Sequence, residues 1–189
     1  HEHIQLKALE LSNADAILLS PVIGMKKKGD FTSDIIIKCY EKLIKKGFYN
    51  PKGALLNGFN TYSRYAGPRE AIFTAICRKN FGCNSFIIGR DHAGVGSFYS
   101  SNASQKIFDK INLDMNILFF ESVSFCSMRN IITSDFSNTK HNKSRYEISA
   151  TIIRNLIRDY QDIPSYLLQS DLSELLKKAY KNNSKNIFC

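Results

Sequence analysis

The feature that most constrains the fold is Ser85-Phe86-Ile87-Ile88-Gly89, a short apolar run that empties directly into Arg90-Asp91-His92-Ala93-Gly94-Val95-Gly96. A continuous apolar stretch of this length, closed by a glycine-rich turn, reads as a buried strand. Such a strand is covered on both faces, and helices are the usual cover. The neighbouring sequence supplies them. Pro68 opens a helical pattern that runs to Asn80 and stops at Gly82, and Ala103 to Ile111 is helical as well. The same alternation recurs along the chain. A stripe of Ile4, Ala8, Leu9 and Leu11 precedes the strand-like Ala16–Leu19, and a helix over Asp34–Lys46 precedes Ala54–Leu56. Asn116–Phe120 and Ser122–Cys126 are strand-like, Ser149 caps a helix reaching Tyr160, and Ser170–Lys181 forms another. The expectation is an α/β fold: a parallel sheet flanked by helices, with a small helical segment at the C-terminal end. Residues 127–147 are polar and are expected to be irregular, and no internal repeat is visible.

Composition excludes several classes. With 43% hydrophobic residues in 189, the chain can build a core and is not intrinsically disordered. No apolar run approaches the roughly 20 residues of a membrane helix. No secretory leader is visible in the polar opening His1-Glu2-His3-Ile4-Gln5. Without an initiator methionine, and starting inside a helical pattern, the chain is expected to be a piece of a longer protein. Five cysteines, an odd number with no CxxC pair, fit free thiols in a reducing cytoplasm. The net charge of +9 suits polyanions, which keeps a basic nucleic-acid-binding module as one alternative. Against it, Lys26–Lys28, Lys45-Lys46 and the lysines from Lys177 to Lys185 fall in expected loops and chain ends, where a solvated surface explains them. Aromatic residues do not interleave with them as nucleic-acid stacking requires.

In a parallel sheet, ligands bind where strands end and helices begin. Two polar segments occupy that edge, Gly89–Gly96 and Ile148–Arg154. Glycines let the backbone approach a ligand and expose its amides; Arg90 and His92 add donors for an anion, and Asp91 can orient either. A tight turn with one Arg–Asp ion pair explains the same residues with no ligand. No Lys-Ser/Thr follows the glycines, so this is not a Walker loop. On its own, Ile148–Arg154 reads better as an ordinary Ser-capped helix.

Three blocks in order, Ser63-Arg64-Tyr65-Ala66-Gly67-Pro68-Arg69-Glu70-Ala71, Arg78-Lys79-Asn80-Phe81-Gly82-Cys83 and Gly89-Arg90-Asp91-His92-Ala93-Gly94-Val95-Gly96, resemble the ATP sulfurylase (sulfate adenylyltransferase) family. The resemblance implies a nucleotidyltransferase that moves AMP from ATP to sulfate, giving adenylyl sulfate and pyrophosphate, with Mg²⁺ accompanying ATP. It implies a Rossmann-like, HUP-type catalytic domain, a homo-oligomer such as a dimer, and neither nucleic-acid nor membrane partners. Gly89, Arg90, Asp91 and His92 would contact ATP, Ala93 would offer its amide to sulfate, and Arg90 would bridge sulfate and the α-phosphate. Val123 falls at the adenine pocket. His1 matches the second histidine of an Asn-Pro-x-His-x-x-His signature and would reach the triphosphate. Ser149, Thr151 and Arg154 would take the β- and γ-phosphates. His1, Arg90 and His92 are thus the expected catalytic side chains.

The chain departs from the family pattern in places. Ser20 and Ala150 stand where a histidine and a glycine are usual, and Cys126 and His141 are remnants of a four-ligand zinc pattern. Two ligands do not close a tetrahedral site, so no structural zinc is expected. The Gln-x-Arg-Asn-Pro stretch would precede residue 1, so residues 1–189 alone are expected to be inactive. A degenerate, non-catalytic relative is the other alternative. The expected domains are a nucleotidyltransferase part at 1–126, lacking its first strand, and an irregular then helical part at 127–189.

Overall fold

A computed structural model describes every residue except Asp91, Val95, 136–143 and 184–186. The chain forms two compact units whose segments interleave. The first comprises His1–Leu19, Tyr49–Leu55 and Thr61–Ser122; the second comprises Ser20–Phe48, Leu56–Asn60 and Val123–Cys189.

The first unit carries helix α1 (Glu2–Ser12), strands β1 (Ala16–Leu19) and β2 (Gly53–Leu56), helix α3 (Pro68–Asn80), strand β3 (Ser85–Gly89), the short helix α4 (Ala103–Lys106) running on as a 3₁₀ turn, and strand β4 (Asn116–Phe120). Helix α3 begins where its sequence says it should. Pro68 sits at the first position, Glu70 lies in the first turn, and Arg78 and Lys79 close the last, all in the sense the helix dipole favours. Its buried face is made of Ala71 and Ala75, small enough to bring the helix close to Ile88 of β3, with Phe108 completing the cluster. Strands β3 and β4 run parallel, in register from Ser85 opposite Asn116 to Gly89 opposite Phe120. Both strands therefore finish at one level. Strand β1 pairs with β2, where the Gly53 N–H donates to the Asp15 carbonyl at 2.8 Å.

The second unit holds helix α2 (Ser33–Lys45), strands β5 (Ser124–Cys126), β6 (Ile131–Thr133) and β7 (Arg145–Glu147), and helices α5 (Ala150–Arg158) and α6 (Ser170–Asn182). Ile35 of α2, Ile157 of α5 and Leu176 of α6 form its core with Ile163, Leu167 and Ile187. Ile187 is held there by backbone pairing. The Thr32 N–H donates to the Ile187 carbonyl at 2.9 Å, Gly29 donates to Cys189 at 2.8 Å, and Cys189 donates to Asp30 at 2.9 Å.

The expected α/β alternation is present, and α3 and β3 match their expected bounds. Two features differ. Among the described residues the strands form two pairs and a three-stranded antiparallel sheet, in the order β6-β5-β7, in place of one continuous parallel sheet. Residues 127–147, expected to be irregular, contain β6 and β7. These strands span only three residues each, and Arg145-Tyr146-Glu147 is exposed throughout, so neither shows an alternating apolar face. What holds β7 is not local: the Arg145 Nε–H donates to Ser124 Oγ at 2.9 Å, and the Tyr146 ring packs against Phe125 and Tyr166 with centroids 6.4 and 5.9 Å apart.

Candidate active site

The glycine-rich turn leaves the carboxyl end of β3. Because Gly89 is opposite Phe120, Arg90 and Ser122 emerge from neighbouring strands at the same level. Arg90 is exposed, and its Nη1–H donates to Ser122 Oγ at 3.0 Å. A hydroxyl partner fixes the direction of the guanidinium without cancelling its charge. A Cβ placed on Gly89 would meet nothing within 4 Å. The protein's own packing does not demand glycine there.

The His92 and Ala93 carbonyls of the turn are hooked from behind. The buried Ser104 of α4 donates from Oγ to the His92 carbonyl at 2.6 Å. The Gly67 N–H donates to the Ala93 carbonyl at 2.9 Å, and Ala93 takes a left-handed conformation with φ 57°. Gly67 is itself built into place. Its φ is 51°, and an added Cβ would lie 2.6 Å from the Tyr99 ring. The loop before it is braced by Glu70, whose two carboxylate oxygens accept from the Arg64 N–H at 2.9 Å and the Ala66 N–H at 3.0 Å. Two of the sequence blocks, Ser63–Ala71 and Gly89–Gly96, thus meet through the Gly67–Ala93 backbone hydrogen bond. The His92 ring packs edge-on against Phe86 at 5.8 Å. Burial pushes its imidazole below the ordinary pKa, partly opposed by the Glu70 charge. The ring is therefore held toward its neutral form.

In the second unit, Ser149 has extended backbone and its Oγ accepts from the Ile152 N–H at 3.3 Å, so it caps α5 as expected. Arg154, one turn in, donates from Nη2 to Thr151 Oγ1 at 3.0 Å and pairs through Nη1 with the Asp30 carboxylate. Arg158 anchors the same loop by donating to the Gly29 carbonyl at 3.2 Å and stacking over Phe188 at 4.5 Å. The first amides of a helix have no intrahelical acceptor, so Ala150 and Thr151 add donors beside these side chains.

The expected site residues therefore fall into two groups, each assembled within its own unit: Gly89, Arg90, His92 and Ala93 in the first, and Ser149, Thr151 and Arg154 in the second. His1 is exposed at the start of α1, where its carbonyl accepts from the Gln5 N–H at 2.9 Å. Val123 is half-buried between β4 and β5. Asp91 and His141 lie outside the described residues. Cys126 is buried with its Sγ 3.5 Å from Ser144 Oγ. Among the described residues no three His, Cys, Asp or Glu side chains cluster as metal ligands. Sequence reasoning missed four contributors: Ser104, Ser122, Asp30 and the bracing role of Glu70. Only Glu70 carried a signal, as an acid in the first turn of α3, three residues after Gly67.

The ATP-sulfurylase family model matches residues 1–179. The sulfate adenylyltransferase of Cenarchaeum symbiosum is 37% identical over 175 residues, covering 92% of this chain and 46% of that protein. Those of a Synechococcus strain and of Halothermothrix orenii are 36% and 38% identical, covering 98% and 93% of this chain and 47% and 46% of theirs. The chain spans about half the length of these relatives. A solved structure, a hexameric APS kinase from Thiobacillus denitrificans, superposes with a TM-score of 0.64 at 13% identity, over 94% of this chain and 32% of that one, a likeness of fold. With the clamped turn in place and the family model matched nearly end to end, this chain belongs to the ATP-sulfurylase family.

Proposed function

We propose that these residues are the nucleotide- and sulfate-binding part of a sulfate adenylyltransferase, a nucleotidyltransferase of sulfate assimilation. The observation that carries this reading is the turn at the end of β3, where Arg90 is aimed by Ser122 and the carbonyls of His92 and Ala93 are tied back. In the reaction a sulfate oxygen attacks the α-phosphorus of ATP, the bond to the bridging oxygen breaks, and pyrophosphate leaves with the electron pair. Both reactants are anions, so the first task is to bring them together against their repulsion. A guanidinium fork that reaches both does this as a fixed charge. Charge then grows on the bridging oxygen and must meet preorganised donors.

Arg90 takes the sulfate and α-phosphate oxygens, the Ala93 amide takes sulfate, and Gly89 with His92 lies along the nucleotide. A neutral His92 gives one N–H without the cost of holding a buried cation. Ser149 and Thr151 at the start of α5, with Arg154, suit the terminal phosphates. Val123 is assigned to the adenine, and His1 to the triphosphate. This donor set is cationic, hydroxyl or amide, which does not fit a protein-held magnesium ion; ATP would bring Mg²⁺ on its own phosphates. The parallel β3–β4 pair with its ligand edge supports a Rossmann-like, HUP-type domain within residues 1–126, followed by an appended part at 127–189. A dimer is the assembly proposed with it.

The test is pyrophosphate release by the protein that contains this chain, with ATP and sulfate added singly and together. Release that needs both, and ATP formation from adenylyl sulfate plus pyrophosphate, are the expected outcomes. DNA binding that falls steeply with salt, with no saturable adenylyl sulfate binding, would overturn the reading in favour of a basic nucleic-acid module.

A further inference from the structure

We propose that Ser104 is a positioning residue for the sulfate-facing amides of the turn, acting with Gly67 to set the direction in which they point. The inference rests on the functional reading above. A trans peptide is planar, with its C=O and N–H on opposite sides. Ser104 Oγ holds the His92 carbonyl at 2.6 Å, so the N–H of the same peptide, that of Ala93, points away from α4. Gly67 holds the Ala93 carbonyl at 2.9 Å, so the Gly94 N–H points away from the loop that Gly67 ends. Two successive amides are presented by hooks on their far sides. Neither hook can drift. Ser104 is 3% exposed on a short helix, and the Gly67 loop is pinned by both oxygens of Glu70. Ser104 touches no substrate in this scheme.

A buried hydroxyl that only satisfies its own hydrogen bond would behave differently. Its loss would lower stability and weaken both substrates alike. A residue that aims the amides at sulfate would spare ATP. The experiment is steady-state kinetics of the protein that contains this chain, as wild type, Ser104→Ala and Ser104→Thr. For Ser104→Ala the KM for sulfate should rise about 10-fold, the KM for ATP should stay within about 2-fold, and Ser104→Thr, which keeps the hydroxyl, should recover most of the difference. Glu70→Gln loosens the second hook without opening a cavity and should show the same split. It carries the test should Ser104→Ala fold poorly. An unchanged sulfate KM in both variants, or an equal rise for both substrates, overturns this inference while leaving the enzyme assignment standing. A wild type with no turnover overturns both.

Discussion

Arg90 and His92 are adjacent in the turn but are controlled in opposite ways. Arg90 is exposed and held by one hydroxyl, so removing it disturbs little of the fold. Arg90→Ala should lower turnover by about 10²–10³ or more, the scale for losing a preorganised donor to developing charge. Its thermal midpoint should stay near that of the wild type. Arg90→Lys should not restore the rate, because a point charge cannot bridge two oxyanions as a planar fork does. His92 is depressed in pKa by burial, and the sign of its effect on stability follows. Below the unfolded-state value of about 6.5 the unfolded chain binds a proton that the native ring refuses, so stability falls as pH drops toward the native pKa. His3 is shifted in the same direction by burial and contributes the same sign. Replacing His92 with Gln should therefore shrink, but not abolish, the loss of stability between about pH 7.5 and pH 5.5 in chemical denaturation.

At the scale of elements, what could be read from the sequence was what is decided locally. Pro68, the acid at Glu70, the base pair Arg78-Lys79 and the stop at Gly82 specify α3 from within, and an apolar run followed by glycine specifies β3. Pairing is decided elsewhere. Nothing in Arg145-Tyr146-Glu147 announces a strand, because its partners on β5 lie some twenty residues back and its fixing contact is the Ser124 hydroxyl. The glycines show the same division between local and remote causes. Gly67 is required by the fold, since its φ of 51° and the Tyr99 ring both exclude a side chain. Gly89 is not so required. Gly67→Ala should thus cost about 1–3 kcal/mol of stability and loosen the turn through Ala93. Gly89→Ala should leave stability within about 0.5 kcal/mol yet still depress activity, because its new methyl enters the open side of the strand end. Denaturation midpoints beside turnover for the two variants separate these causes.

For the whole molecule, the candidate site residues that the sequence offers are those whose proposed chemistry is carried by their own side chain or backbone: Arg90, His92, the Ala93 amide, Ser149, Thr151 and Arg154. Those that escaped notice act on them from a distance in sequence. Ser104 reaches the His92 carbonyl, Ser122 reaches Arg90, and Asp30 reaches Arg154 from 124 positions away. A hydroxyl or carboxylate of that kind has no periodicity and no motif of its own, so only the folded chain reveals it. The assignment of the two groups makes a prediction that needs no turnover. A ligand that binds only the native state stabilises it by RT ln(1 + [L]/Kd), about 2.7 kcal/mol at a hundred times Kd, so the thermal midpoint reports binding directly. Adenylyl sulfate and pyrophosphate should each raise the midpoint of the wild-type protein. Arg90→Ala should abolish most of the response to adenylyl sulfate and keep the response to pyrophosphate, because Arg90 is assigned to sulfate and the α-phosphate. Arg154→Ala should do the reverse, because Arg154, held by Asp30 and Thr151, is assigned to the terminal phosphates. Equal losses for both ligands in both variants would mean that the two groups do not divide the substrate in this way.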